Sequence, residues 1–131
     1  MKTYKTDIRV RYKETDRMGV VYYGNYLTWF EVARNELFRD AGLSYREMEE
    51  KLGVRFMVAS ASCNYKSSVT YDDLVTVETQ ICKIKNTSFG FNYKVQCGTR
   101  LVAHGETLHV FTDKTGKPIR IPEKVRQVLL R

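Results

Sequence analysis

The residues best suited to chemistry lie together within residues 12–34 of the chain. A polar turn of the form Thr-Asp-x-x-Gly places the carboxylate of Asp16 shortly before Gly24 and Asn25, where an amphipathic helix is predicted to begin. The first turn of a helix has backbone N–H groups without intrahelical acceptors and a partial positive charge, so it can polarise a carbonyl group or hold an anion. A carboxylate beside such groups favours acyl-transfer chemistry.

Two elements must position this turn. Residues 4–12 alternate apolar and polar side chains, which predicts a half-buried strand ending near Tyr12. Between Asn25 and Ala41 the larger apolar residues recur every three or four positions, and Gly42 follows as a C-terminal cap, so this segment is predicted to be the longest helix. Its predicted apolar face consists of Tyr26, Leu27, Phe30, Ala33, Leu37, Phe38 and Ala41.

The rest of the chain has mainly strand patterns. A short helix is predicted from Ser44 to Leu52, because Ser44 and Glu47 form a capping box, and a terminal helix is predicted after Pro122. The other predicted strands cover residues 55–66, 74–85, 89–97 and 100–111. One long helix against a five-stranded antiparallel sheet is an α+β arrangement, and we expect a single domain over residues 1–131.

Composition limits the class of protein. A hydrophobic content of 43% with 28% charged residues is typical of a globular protein in water, and 131 residues suffice for one domain. No apolar run approaches the ~20 residues that a membrane-spanning helix needs, and the first residues lack a signal-peptide core. The formal net charge of +7 favours an anionic partner, but Lys and Arg are spread along the chain without a nucleic-acid-binding motif.

The cysteine and histidine patterns do not indicate a metal site. Cys63, Cys82 and Cys97 are an odd number without metal-ligand spacing, which fits small buried side chains in a reducing cytoplasm. His104 and His109 are five positions apart on one predicted strand, so their side chains are expected on opposite faces of the sheet. We therefore expect a cytoplasmic protein with no metal and no redox cofactor.

The stretch around Asp16 resembles the signature of a known family. The matching residues are Thr15-Asp16-x-x-Gly19-Val20-Val21-Tyr22, Asn25-Tyr26 and Phe30-Glu31-x-x-Arg34, with a second patch from Ser62-Cys63-Asn64 to Tyr71-Asp72-Asp73. They resemble the 4-hydroxybenzoyl-CoA thioesterase family. The resemblance implies the hotdog fold, in which a five-stranded antiparallel sheet wraps one long helix, and an acyl-CoA thioesterase that releases a free acid and coenzyme A. It also implies a homodimer or homotetramer with active sites between subunits.

Two roles are open to Asp16. An Asp in such a turn is often a local hydrogen-bonding residue, whereas the resemblance implies a catalytic carboxylate, acting as nucleophile on the thioester or as the base that activates water. The attacked carbonyl becomes an oxyanion, and the backbone amides near Tyr22, Tyr23 and Gly24 are the candidates to stabilise it. Many relatives have His where Tyr23 stands, so a histidine-assisted mechanism is not expected, and Tyr23 is expected as a lining or packing aromatic.

Three other candidate substrate-binding residues each have a simpler alternative role. Asn25 can cap the helix or contact the substrate. Glu31 can form an intrahelical ion pair with Arg34, or it can lie in the acyl pocket, where the resemblance implies an acidic residue. Lys66, with lysines of the neighbouring predicted hairpin, can contact the phosphates of coenzyme A or be simply solvated.

Two alternative functions of the predicted fold stay open at this point. A hotdog hydratase or dehydratase needs a His with an acidic partner, and no His lies near the predicted helix start. A non-catalytic module that binds or senses acyl-CoA needs no catalytic residue at all.

Overall fold

The chain is described by a computed structural model over residues 3–131. Within these residues five antiparallel strands form one sheet, in the order β1-β3-β4-β5-β2. The strands are β1 (Thr3–Arg9), β2 (Arg55–Tyr65), β3 (Leu74–Cys82), β4 (Ser88–Cys97) and β5 (Arg100–Thr112), and the helices are α1 (Asn25–Asp40), α2 (Tyr45–Lys51) and α3 (Glu123–Leu129). The predicted α+β arrangement of one long helix and five antiparallel strands is confirmed.

Helix α1 packs its apolar face against the sheet. Its buried residues are Tyr26, Trp29, Phe30, Ala33, Arg34, Leu37 and Phe38. The prediction was wrong for Leu27, which is 42% exposed, because one residue turns the helix by about 100° and places Leu27 beside the buried stripe rather than within it. Trp29, which was not predicted to lie on the apolar face, is buried with 1% exposed.

A close approach between α1 and the sheet depends on Gly105 in β5. The ring of Phe30 stacks on that of Tyr93 with a centroid distance of 4.1 Å. A Cβ atom at Gly105 would lie 2.6 Å from the Phe30 ring and 2.4 Å from the carbonyl oxygen of Ser62 in β2. Glycine at this position therefore lets the helix and two strands come together.

The first strand ends earlier than predicted. β1 pairs with β3 only as far as Arg9, opposite Leu74, and the chain then turns. Tyr12 begins a short 3-10 helix, Tyr12–Glu14, and is 76% exposed rather than part of the strand. This turn redirects the chain from the edge of the sheet toward the start of α1.

Local capping and turn signals were predicted correctly in the second half of the fold. The Ser44 hydroxyl accepts a 3.1 Å hydrogen bond from the Glu47 amide at the start of α2. β3 and β4 form the predicted hairpin, with Ile81 opposite Phe91. α3 follows Pro122, as predicted.

Strand β2 lies at one edge of the sheet and is mostly exposed. It pairs with β5 on one side, and of its eleven residues only Phe56 is buried. The exposed side chains include Met57 and Val58, which are 55% and 52% exposed. Across residues 3–131, no helix combines the length and apolar character that spanning a membrane requires.

Candidate active site

Asp16 sits in a turn that fixes its backbone and one of its carboxylate oxygens. Its N–H donates to the Val20 carbonyl at 2.9 Å, and its carbonyl accepts from the Gly19 N–H at 3.0 Å. Gly19 has a φ of +78°, which glycine adopts without strain. The Met18 amide donates a 2.8 Å hydrogen bond to Oδ1 of Asp16. No residue within 3–131 donates to Oδ2. Asp16 therefore has the local hydrogen-bonding role expected of an Asp in this turn, and its second carboxylate oxygen has no donor.

The Asp16 side chain is partly exposed and borders an open surface cleft. The other lining residues are Tyr12, Lys13, Thr15, Arg17, Gly19 and Tyr71. The rings of Tyr12 and Tyr71 lie edge to face, with a centroid distance of 5.6 Å. The lining of this cleft does not include Tyr22, Tyr23 or Gly24. Asp16 is therefore connected to the start of α1 through the turn between them.

Glu14 makes that connection. Its carbonyl oxygen accepts hydrogen bonds from the Tyr22 amide and from the Asn25 side-chain amide, both at 2.8 Å. Its carboxylate accepts from the Trp29 indole N–H and from the Arg11 amide, also at 2.8 Å. Glu14 therefore ties the turn that carries Asp16 to the first turns of α1.

Glu14 is only 3% exposed, yet its carboxyl group is held in the charged form. Burial by itself raises the pKa of Glu14, but the hydrogen bonds from the Arg11 amide and the Trp29 indole, with the nearby Arg11 charge, outweigh it and lower the pKa. Sequence reasoning missed this residue. The sequence contains only a weak signal for it. A buried Trp needs an acceptor for its N–H, but nothing in the sequence identifies Glu14 among the polar residues as that acceptor.

Some backbone amides at the start of α1 donate hydrogen bonds within the protein and others do not. The Tyr22 amide donates to the Glu14 carbonyl. The Asn25 and Tyr26 amides donate to the carbonyls of Tyr22 and Tyr23 at 3.0 and 3.3 Å. Over the described part of the chain, the amides of Tyr23 and Gly24 have no acceptor. Of the three amides proposed to stabilise an oxyanion, those of Tyr23 and Gly24 are thus available and that of Tyr22 is not.

Asn25 does not cap the helix. The N-cap residue is Gly24, and no side chain of residues 3–131 forms a capping hydrogen bond there. Asn25 begins α1 and instead donates from its side chain to the Glu14 carbonyl. The capping role expected as one alternative for Asn25 is therefore wrong, because its amide group reaches back to the Asp16 turn.

Tyr23 belongs to an aromatic group at the start of α1. Its ring lies 4.6 Å from that of Tyr22 and 6.3 Å from that of Tyr65 in β2, as centroid distances. The Tyr65 hydroxyl donates to the Tyr23 carbonyl at 3.1 Å. Tyr23 is 62% exposed, so its ring is a surface aromatic supported by its neighbours, beside the free amides of Tyr23 and Gly24.

Glu31 and Arg34 do not form the ion pair that was one expectation for them. No ion pair joins them among residues 3–131, because Arg34 turns into the protein and is 8% exposed while Glu31 is exposed. The Arg34 guanidinium instead contacts the Tyr93 hydroxyl at 3.5 Å. Both residues line two adjoining clefts between α1 and β2.

The two histidines lie on opposite faces of β5, as predicted. His104 is exposed, and His109 is fully buried with Nε2 2.8 Å from the Thr107 hydroxyl. Burial, with the nearby Arg34 charge, lowers the pKa of His109 to about 3, so its imidazole is neutral near pH 7. Neither is at the start of α1, so the geometry places no His where a hydratase would need one.

Lys66 lies just beyond the end of β2 and does not line the cleft that Asp16 borders. Its side chain is exposed, and its backbone amide donates to the Val102 carbonyl at 2.8 Å. Lys83, one of the hairpin lysines, pairs with Glu106 at 2.8 Å and is less available to a ligand. Among residues 3–131, no group of three His, Cys, Asp or Glu side chains is arranged to hold a metal ion.

Comparison with known proteins gives the family. The model of the thioesterase-like superfamily matches residues 10–129. The chain belongs to this superfamily. The acyl-CoA thioesterase YbgC of Haemophilus influenzae is 31% identical to this thioesterase-like chain over 121 residues, which cover 91% of the chain and 88% of the relative.

Solved structures agree with this assignment. A hypothetical protein from Aquifex aeolicus superposes with a TM-score of 0.93 at 33% identity, covering 96% of this chain and 98% of that one. The DHNA-CoA thioesterase from Staphylococcus aureus superposes with a TM-score of 0.91 at 36% identity, covering 98% and 89%. The hotdog fold and the assignment of this superfamily member as a thioester hydrolase, both predicted from sequence, are confirmed.

Proposed function

We propose that this protein hydrolyses acyl-CoA thioesters to a free acid and coenzyme A, with Asp16 as the catalytic carboxylate. The observation that carries the proposal is the state of the Asp16 side chain: Oδ1 accepts from the Met18 amide, Oδ2 has no donor within residues 3–131, and Asp16 lines an open cleft. The names of similar proteins, such as the acyl-CoA thioesterase YbgC, support coenzyme A as the thiol part of the substrate. Metal and redox cofactors have no part in the proposal.

The proposed reaction places the thioester between Asp16 and the start of α1. Oδ2 of Asp16 attacks the carbonyl carbon, or it takes a proton from a water molecule that attacks instead. The carbonyl oxygen gains negative charge as the new bond forms, and the free amides of Tyr23 and Gly24 donate to it. When the intermediate collapses, the C–S bond breaks and coenzyme A leaves as the thiolate. If Asp16 attacked, water then hydrolyses the acyl–Asp16 anhydride, which gives the free acid and restores the carboxylate. If water attacked, the acid forms directly and the proton held by Asp16 passes to the thiolate. One such donor is worth about 3 kcal/mol in other enzymes.

Glu14 supports this arrangement without contacting the substrate. It holds the Tyr22 amide with its own carbonyl, two residues before Asp16, so the catalytic turn and the helix start move as one unit. Preorganised donors and a fixed carboxylate lower the barrier because little reorganisation is needed during the reaction. Glu14 is thus a positioning residue.

The proposal includes a homo-oligomer in which a second copy pairs along β2. This edge strand has eleven residues, and its unpaired backbone groups and exposed apolar side chains are a template for another strand. An antiparallel pair of β2 strands would join two sheets and bring the clefts beside α1 next to the partner. The active sites would then lie between subunits.

The deciding experiment measures release of free thiol from a panel of acyl-CoA substrates. Asp16→Asn is expected to lower kcat at least 100-fold, in line with the loss of a catalytic acid–base group, while circular dichroism and oligomeric state stay as in the parent. Asp7→Asn, an exposed Asp of β1, is the matched control and should keep full activity. Full activity of Asp16→Asn would remove Asp16 from the mechanism, and binding of acyl-CoA without turnover by the parent would favour a sensor.

A further inference from the structure

We propose that Arg34 is a specificity-determining residue, which selects acyl groups that carry a hydrogen-bond-accepting oxygen at the end far from the thioester. The inference rests on the proposed hydrolysis of acyl-CoA. It concerns the α1–β2 groove, formed by two adjoining clefts that share Glu31, Arg34 and Val58. One cleft extends to Leu27 in the first turn of α1, and the other extends to His109 in β5.

Arg34 is a buried cation with unused donors. Only 8% of its surface is exposed, and within 3–131 no carboxylate pairs with it. Among the described residues its one side-chain hydrogen bond goes to the Tyr93 hydroxyl, at 3.5 Å, whereas a guanidinium has five N–H donors. A buried charge without a counter-ion is costly, so the groove wall that contains Arg34 favours a ligand that accepts hydrogen bonds.

The hydrogen bonds beyond Arg34 orient a second donor, which is buried behind the same wall. Arg34 can only donate, so the Tyr93 oxygen accepts and its own proton goes to the Thr107 hydroxyl, 2.6 Å away. The Thr107 proton then goes to Nε2 of His109 at 2.8 Å, which leaves the proton of the neutral imidazole on Nδ1. This buried Nδ1 has no acceptor in the described structure.

The groove runs from Arg34 to Leu27, in the first turn of α1. Arg34 follows Asn25 by nine residues, which is about 14 Å along a helix axis. Its guanidinium reaches back toward the helix start, because it contacts Tyr93, whose ring stacks on Phe30 one turn earlier. An acyl group whose carbonyl lies at the free amides can therefore run past Leu27 and present its far end to Arg34.

Glu31 limits which functional group at the far end of the acyl chain fits the groove. It lines both clefts together with Arg34 and is exposed on the open side of the groove. A hydroxyl can accept from Arg34 and donate to Glu31, whereas a carboxylate can only accept and is repelled by Glu31. The shared requirement is an acceptor oxygen, and a hydroxyl satisfies both side chains.

The test uses three acyl-CoA thioesters of equal length that end in a methyl, a hydroxyl or a carboxylate group. The parent is expected to hydrolyse at least one oxygen-bearing substrate with a kcat/KM at least tenfold above that of the methyl-terminated one. Arg34→Gln should lower this ratio at least tenfold, and Arg34→Lys should give an intermediate ratio. Arg39→Gln, an exposed Arg on the same helix, should retain it. Glu31→Gln should shift the preference from hydroxyl toward carboxylate.

Equal kcat/KM values in the parent, or an unchanged ratio in Arg34→Gln, would overturn the inference, because a purely structural Arg34 changes stability and not the ratio. If Arg34→Gln fails to fold by circular dichroism, the Arg34→Lys ratio decides. Binding of the three non-hydrolysable thioether analogues, measured by calorimetry, separates the two proposals. A preference in binding without hydrolysis of any thioester removes the proposed function and keeps the role of Arg34.

Discussion

The indole N–H of Trp29 donates a 2.8 Å hydrogen bond to the carboxylate of Glu14, and both side chains are buried. This bond joins the second turn of α1 to the short 3-10 helix that precedes Asp16. The Glu14 carbonyl joins the same two segments again, because it accepts from the side-chain amide of Asn25, the first residue of α1. The buried carboxylate of Glu14, which does not contact the substrate, therefore holds the proposed catalytic carboxylate of Asp16 in place beside the helix start.

Replacing Glu14 with Gln tests this relationship. We expect a loss of about 2 kcal/mol in the free energy of unfolding, because hydrogen bonds to a buried charge are exchanged for neutral ones. The turnover of acyl-CoA should fall as well, since the Asp16 turn is held less firmly. Trp29 is the one Trp in the sequence, so its fluorescence during urea unfolding reports directly on this contact.

The pH dependence of the free energy of unfolding gives a further test of the Glu14→Gln variant. The folded-state pKa of Glu14 lies below 4.5, so its contribution to stability is complete above about pH 4.5 and is lost as the pH falls through the folded-state pKa. The Gln variant should lack this part of the acid destabilisation. Glu36→Gln, which alters an exposed pair with Arg39, serves as the control and should change stability little. Equal stability of Glu14→Gln and the parent would refute the positioning role.

A second prediction separates the backbone of Tyr23 from its side chain. The proposed oxyanion donor is the Tyr23 amide, and the Tyr23 hydroxyl makes no hydrogen bond to other residues within 3–131 that would tie it to Asp16 or Glu14. Tyr23→Phe should therefore keep kcat within about threefold of the parent, far less than the roughly 100-fold loss of a donor or base. A 100-fold fall in kcat, measured by thiol release, would instead assign a catalytic role to the phenol.

Sequence patterns predicted those parts of the fold and site that depend on residues close together in the chain. The alternation in β3 and β4, the capping of α2 by Ser44 and the position of α1 all follow from spacing within one segment. The burial of Glu14 and the inward turn of Arg34 depend on partners far along the chain, namely Trp29 and Tyr93. Charged residues are rarely buried without such partners, so no local rule predicts either position.

The buried His109 gives a third prediction, in which stability depends on pH. Its pKa falls from 6.5 to about 3 on folding, so the unfolded chain binds a proton that the folded chain excludes. The stabilising contribution is present above pH 6.5 and is lost as the pH falls toward the folded-state value. This group alone should lower the free energy of unfolding by about 2 kcal/mol between pH 7 and pH 5.

Urea unfolding of two histidine variants at these pH values checks this prediction. His109→Gln should be less stable than the parent at pH 7, because it disturbs the contact with Thr107, but it should lose less stability between pH 7 and pH 5. His104→Gln, at the exposed histidine of the same strand, should keep the slope of the parent. The same slope in His109→Gln and the parent would show that His109 is not the group responsible.

The last prediction concerns the exposed edge strand and the proposed oligomer. Val58 in β2 is 52% exposed, and a charge there would have to be buried if a second copy pairs along this strand. Val58→Asp should convert the oligomer to monomer in analytical ultracentrifugation, while circular dichroism stays unchanged. Leu130→Asp, at a 62% exposed position beyond α3, should remain oligomeric and active. A parent that sediments as a fully active monomer would show that each active site is complete within one chain, and the proposed β2 pairing would then be wrong.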